Sequence, residues 1–242
     1  MFMHKGKART FRHNFRLAVF LSYTAGLVNI CGVLALGVLT TNVTGHFAYF
    51  AEGVFKKDNL FSFNFLFYIL AFLCGSFTSG FLTEYTARKG RHAPHNPAMF
   101  MEIFFLLSLG LFGDTLVKQG FSKPLMACTM LFTMGLQNSL VSKISNSAVR
   151  TTHLTGLFTD LGIELSQLFF YKGRGQQKHL LLNIGLRGGI IIFFFLGCVT
   201  GGFLYVHITF KVLIIAAATL VAALIYDNIR LRFYRISRSL RK

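Results

Sequence analysis

Six stretches of this chain run for about 20 residues with almost no charge, the length a helix needs to cross a ~30 Å hydrocarbon core. The first is "LAVFLSYTAGLVNICGVLALGVL", from Leu17 to Leu39. The others centre on "FSFNFLFYILAFLCGSFTSGFL", "AMFMEIFFLLSLGLFGDTLV", "PLMACTMLFTMGLQNSLV", "LLLNIGLRGGIIIFFFLGCVTGGFLY" and "FKVLIIAAATLVAALIY". The first run is too long for a leader's apolar core, and no small-residue cleavage site follows it, so it is expected to be a span. The fourth is the most polar, since it carries Gln137 and Asn138. These runs predict an all-α membrane protein of six transmembrane helices.

A net charge of +17 would point to nucleic acid in a soluble chain. The positions of the basic residues point elsewhere. The segments before the first span, between spans two and three, between four and five, and after the sixth hold 19 of the 25 Lys and Arg residues. The alternate connections hold 5, namely Lys56, Lys57, Lys118, Lys123 and Lys211, and Arg187 lies inside span five. This alternation is the positive-inside pattern. It predicts two cytoplasmic termini, and it leaves no basic surface to assign to nucleic acid. The tail "RLRFYRISRSLRK" is expected to rest on anionic headgroups of the bilayer.

The chain also repeats itself. "TTNVTGHF" occupies residues 40–47 and "TTHLTGLF" residues 151–158. "GLVN" (Gly26–Asn29) precedes the first copy and "GLQN" (Gly135–Asn138) the second. Downstream, "GSFTSGFL" (Gly75–Leu82) matches "GCVTGGFL" (Gly197–Leu204), and Asp114 and Asp227 end spans three and six. Four landmarks recur in the same order at offsets between 109 and 122, as two homologous halves would give. The expected division is residues 1–118, a three-helix repeat with a basic N-terminal segment, and 119–242, a second three-helix repeat with the basic tail. Three crossings per half is odd, so the second half enters from the opposite face. The result is a 3+3 inverted-topology repeat, an architecture that recurs in secondary transporters with sites near the midplane.

Each octet ends an apolar run in Thr, Asn and Gly, which are stop and cap signals. Each precedes a mixed-polarity stretch too short to span, "FAYFAEGVF" and "FTDLGIELSQLFF", expected to form short half-helices. Asn42 or Thr44 could cap the first and Thr152 or Thr155 the second. Two roles fit the motif. One is capping with tight packing at Gly45 and Gly156. The other is a binding site in which hydroxyls and helix N-termini take a polar or anionic group. The candidate substrate- or ion-binding residues are Asn29, Thr41, Thr44, Gly45, Asn138, Thr152, Thr155 and Gly156, with interhelical hydrogen bonding as the alternative for the two asparagines.

"TTNVTGH" after an N-terminal span, then "MGLQNSL" and "VRTTHLTG", resembles the YoaK family of bacterial membrane proteins across most of the chain. Where members of that family typically carry Asn directly after the first TG, this chain has His46. The resemblance implies a multi-pass inner-membrane protein. The family is one of unknown function, so it implies no substrate and no catalytic residue.

Two ionisable residues fall within the spans. Glu102 lies early in span three and Arg187 early in span five, so both sit in the cytoplasmic half, and a buried charge pair between them is expected. Asn183, one turn before Arg187, is a further candidate for that cluster. The four cysteines lie in apolar runs with no CxxC spacing, and "HAPH" (His92–His95) reads as loop punctuation, so no metal site is expected. No nucleotide-binding loop, GxSxG or HExxH appears. The chain is therefore expected to be no enzyme and to carry no cofactor. The leading expectation is transport of a small polar or anionic solute by alternating access. The competing class is a membrane scaffold or assembly partner whose octets only cap and pack. Homo-oligomerisation is left open.

Overall fold

A computed structural model describes residues 11–90 and 93–239, with the backbone alone described at 12, 13 and 227–239. Lys5, Lys7, Arg9, Arg91 and His92, and the side chains of Arg12, Asp227 and the basic tail, lie outside the described residues. The described chain is helical: α1 (Phe11–Leu36), α2 (Val43–Lys56), α3 (Asn59–Arg88), α4 (Asn96–Lys118), α5 (Lys123–Ser145), α6 (Leu154–Gln167), α7 (Arg174–Ile208) and α8 (Val212–Ser239), with a single 3-10 turn at Thr209–Lys211.

Five stretches are long and apolar enough to cross a membrane, where the sequence suggested six. The fifth runs from Arg174 to Tyr226 without an interrupting charge cluster and contains α7 and the first half of α8. It does not continue straight. Phe15 of α1 packs on Gly189 and Ile30 on Gly201, so α7 runs parallel to α1. Arg16, near the start of α1, hydrogen-bonds the Tyr226 hydroxyl midway along α8, so α8 runs back the other way. The reversal is at Thr209, whose φ of 49° is left-handed and whose hydroxyl donates to Asp114 of α4 at 2.6 Å.

Side chains are distributed by size rather than by polarity. On α3 the buried positions include Gly75, Ser79, Thr83 and Thr86, while Phe63, Phe67, Phe77 and Phe81 point outward. Lipid tails solvate phenylalanine well, so nothing drives it inward. Small residues let backbones approach and gain dispersion contact instead. The closest approaches are glycine crossings. A Cβ on Gly26 of α1 would collide with the Phe194 carbonyl of α7, and one on Gly197 with that of Tyr23. The same holds between α3 and α5: a Cβ on Gly75 would strike the Phe132 carbonyl, and one on Gly135 that of Phe72.

These two crossings correspond residue by residue. Gly26 and Gly135 occupy the same place in "GLVN" and "GLQN", as do Gly75 and Gly197 in the downstream match. Tyr23 and Phe132, and likewise Phe72 and Phe194, stand in the same registers. The Cys198 thiol donates to the Gly26 carbonyl at 3.4 Å, and the Ser76 hydroxyl to that of Gly135 at 3.2 Å. Around these crossings α8 packs on α1 and α4, and α5 on α4 and α1. Gly110 and Gly113 of α4 admit Ile214 and Phe210 of the returning strand of chain.

The helix before each octet ends at a left-handed residue. Gly37 (φ 71°) follows α1 and Asn146 (φ 54°) follows α5 in the same register. Glycine takes this conformation without a Cβ penalty and asparagine tolerates it, so both are helix stops. The segment after α5 is two residues longer, which shifts the offset between the halves from 109 to 111.

Candidate functional site

The two octets meet across one cavity of about 470 Å³. Thr41 and Thr44 line it from the α1–α2 connection, Thr152 and Thr155 from the α5–α6 connection, and Asn29 and Asn138 from the long helices. Phe72 of α3 and Phe194 of α7, one helical turn before the glycines of the two crossings, supply apolar wall. Asn42, Val43, His153, Leu154 and Leu39 complete the lining. Apart from Leu39, the lining residues fall into register pairs, one from each half. Among the described residues, no Asp, Glu, Lys or Arg lines the cavity. Its polar contacts are amides, hydroxyls, one imidazole and the first turns of α2 and α6, which carry the positive ends of their helix dipoles.

The geometry differs between the two ends. On the α2 side the Thr41 hydroxyl donates to Asn29 Oδ1 at 3.0 Å, tying the octet to α1. Asn42 is the N-cap, its side chain accepting from the Gly45 amide at 2.9 Å. On the α6 side the N-cap is His153, which makes no side-chain cap bond. Neither Thr152 nor Thr155 caps α6, and Thr44 does not cap α2, because the cap falls on the residue between the threonines. Gly45 and Gly156 do not line the cavity, contrary to expectation. A Cβ on Gly45 would meet the Asn42 side chain, and one on Gly156 the His153 ring. Each glycine makes room for its own cap residue.

A second, smaller pocket of about 300 Å³ adjoins the first, and His153 lines both. Its walls include Arg150, Asp160 and Arg187. Here the expected charge pair is corrected. Arg187 bonds Glu164 and also Asp160, the latter at 3.3 Å, both on α6. Glu102 is fully buried, and neither of its carboxyl oxygens has a hydrogen-bond partner. Matched depth did not bring the two together because α6 lies against α7 while α4 packs on α5 and α8. Asn183 stands apart from the cluster and bonds His179 instead, at 3.3 Å. An acidic i, i+4 pair on a short amphipathic helix was the available signal for Arg187's partners.

His46, which stands in the first octet where the family typically carries Asn, is buried, its Nε2 at 2.7 Å from the Leu39 carbonyl, against Phe65 and Tyr68. Burial lowers its pKa below the ordinary value, and the bond to Leu39 opposes that shift. Among the described residues no trio of His, Cys, Asp or Glu is placed to hold a metal.

A family model described as a protein of unknown function, DUF1275, matches residues 17–226. The chain belongs to this family. It is also 26% identical over 184 residues to the UPF0700 transmembrane protein YoaK of Bacillus subtilis strain 168, covering 76% of this chain and 80% of that one. No solved structure matches. The chain is thus a multi-pass integral membrane protein of the YoaK/DUF1275 family. The matched region contains every residue that lines the two pockets.

Proposed function

We propose that this DUF1275 protein transports a small polar or anionic solute by alternating access, through six crossings arranged as a 3+3 inverted repeat. The observation that carries the reading is the single cavity lined in register pairs by both octets, both asparagines and both phenylalanines. Two further features support it. The glycine crossings α1–α7 and α3–α5 correspond residue by residue, as a two-fold axis in the membrane plane requires. The 19-to-5 distribution of basic residues supports a topology with the octets at opposite faces and both termini cytoplasmic. An inverted repeat has two equivalent ways to close, one at each face.

The lining chemistry limits the solute. A cavity of hydroxyls, amides and helix N-termini, without a carboxylate, offers nothing to balance a cation. Asn42 and Gly45 act as cap and cap partner, so part of the octet is structural. The threonines and Asn29 and Asn138 are left to the solute. The basic tail and N-terminal segment serve as contacts to anionic headgroups.

A thermal-shift screen of the detergent-solubilised protein against small carboxylates, inorganic oxyanions, amides and polyols tests the reading, because only ligands of the folded state raise the apparent melting temperature. A hit should lose its shift in Asn29→Leu and Asn138→Leu and should cross proteoliposomes containing the parent protein. A panel with no shift, together with no flux of its members, would remove the transporter reading in favour of a scaffold.

A further inference from the structure

The two short helices have the same length and the same place in their repeats, yet different chemistry fastens them. On the α2 side Tyr49 stacks on Phe65 of α3 with ring centroids 4.9 Å apart. Phe61, Tyr68 and His46 extend that cluster. Gly53 of α2 abuts Ser62 of α3 so closely that a Cβ would not fit. In the second repeat the register mate of Tyr49 is Asp160, that of Phe65 is Arg187, and that of Gly53 is Glu164. The aromatic contact on the α2 side is therefore an ion-pair cluster on the α6 side. The Thr41–Asn29 hydrogen bond of the first half has no counterpart between Thr152 and Asn138 among the described hydrogen bonds.

Resting on the transporter reading, we infer that α6 is the moving gate of this protein and α2 the fixed one, and that Arg187, gripping Asp160 and Glu164, is the positioning residue that latches the gate. An aromatic interface with a backbone-to-backbone contact leaves a helix little freedom to slide, because packed apolar surfaces tolerate few arrangements. An ion pair whose partners reach water keeps part of its energy when it opens, since water re-solvates both charges. The pocket beside the latch provides that water. The Asp160 side chain is 53% exposed and the Arg187 side chain 24% exposed, whereas that of Glu164 is 10% exposed, so the Asp160 pair opens at low cost and Glu164 holds the latch more firmly. The latch spans α6 and α7 about two to three turns beyond His153, the residue shared by this pocket and the central cavity. Moving α6 away from α7 would carry His153 with it and join the two spaces. Of the charged groups facing the latch, Arg150 adds no carboxylate partner for Arg187, so breaking the two pairs frees the helix.

The test reads access rather than transport. Cys31, Cys74, Cys128 and Cys198 are replaced, Thr152→Cys is introduced, and a membrane-impermeant thiol reagent is applied to inside-out vesicles. Asp160→Asn with Glu164→Gln should raise the labelling rate by at least about threefold, the factor for losing roughly one partly exposed ion pair. The outer mates, Tyr49→Leu with Phe65→Leu, should leave cytoplasmic labelling at the parental rate. Equal labelling of the latch variant and its parent would overturn the inference, as would equal opening in the Tyr49/Phe65 variant. If the latch variant fails to insert, the intact latch is weakened by salt instead. Raising ionic strength from about 0.05 M to about 0.5 M shortens the screening length several-fold, so labelling of Thr152→Cys should speed up, and a flat response would overturn the inference. Solute flux is the separate readout. Latch-dependent labelling with no flux and no ligand-induced thermal shift keeps the moving helix and sinks the transporter reading.

Discussion

At the residue scale, the glycines that matter are those facing another backbone. Gly75→Ala and Gly197→Ala put a methyl group onto a carbonyl of the partner helix, while Gly188 has open space around it. Overpacking of this kind costs about 1–3 kcal/mol. The two crossing variants should each lower the melting temperature in detergent, and Gly188→Ala should not. A tie among the three would mean that the crossings are looser than drawn. Glu102 gives the opposite expectation. Its carboxyl is buried without a hydrogen bond, so Glu102→Gln removes an ionisable group that nothing compensates and should leave stability unchanged or raised. Arg187→Met should lower it, because Glu164, only 7% exposed, loses its partner. A marked loss of stability in Glu102→Gln would reveal a partner for that carboxyl after all.

At the scale of elements, α2 and α6 begin in the same register but are capped differently. Asn42→Ala should cost about 1 kcal/mol, as loss of a side-chain cap does. His153→Ala should cost no cap, since it makes none. Similar losses in melting temperature for both would show that His153 caps α6 in the membrane. The α2 interface also carries a pH dependence. Burial favours the neutral form of His46, so the stability this residue contributes is whole above its ordinary value of 6.5 and is lost as the pH falls through the lower folded value. Acidification from about pH 7.5 to about pH 5 should lower the melting temperature of the parent. His46→Leu, which copies its mate Leu157, should show a smaller drop. An identical pH profile in the two would acquit His46.

At the scale of the molecule, topology decides the functional reading. Single cysteines at Lys57 and Lys118 should be labelled from the periplasm and one at Lys172 only from the cytoplasm. Periplasmic labelling at Lys172 would put both octets on one face and dissolve the inverted repeat. The structure bears on the same point through helix direction. α7 runs parallel to α1 and α8 antiparallel to it, so one apolar stretch of 53 residues passes through the bundle twice. α1 and α5, which carry "GLVN" and "GLQN", meet each other, α1 packs on the glycine-rich α7 and α5 on the glycine-rich α3. Helices from the first and last parts of the chain interlock rather than lie side by side, which is why residues far apart in sequence line one cavity.

The sequence by itself was enough for the solvent and the helices. Apolar runs of membrane length, basic residues in alternate connections and landmarks repeated in order are all properties of composition along one dimension. They placed Asn29, Asn138 and four threonines on equivalent sites before any contact was known. The same register could have added Phe72 and Phe194, since both stand three residues before a repeated glycine. Which groups touch was decided only in three dimensions. Depth along the membrane normal put Glu102 and Arg187 at one level, but a bundle has a second coordinate, the angle around its axis, which one chain's periodicity does not specify. Packing of α6 on α7 gave Arg187 its carboxylates. The side of each short helix that faces its long partner then determined that an aromatic pair would hold one and an ion pair the other.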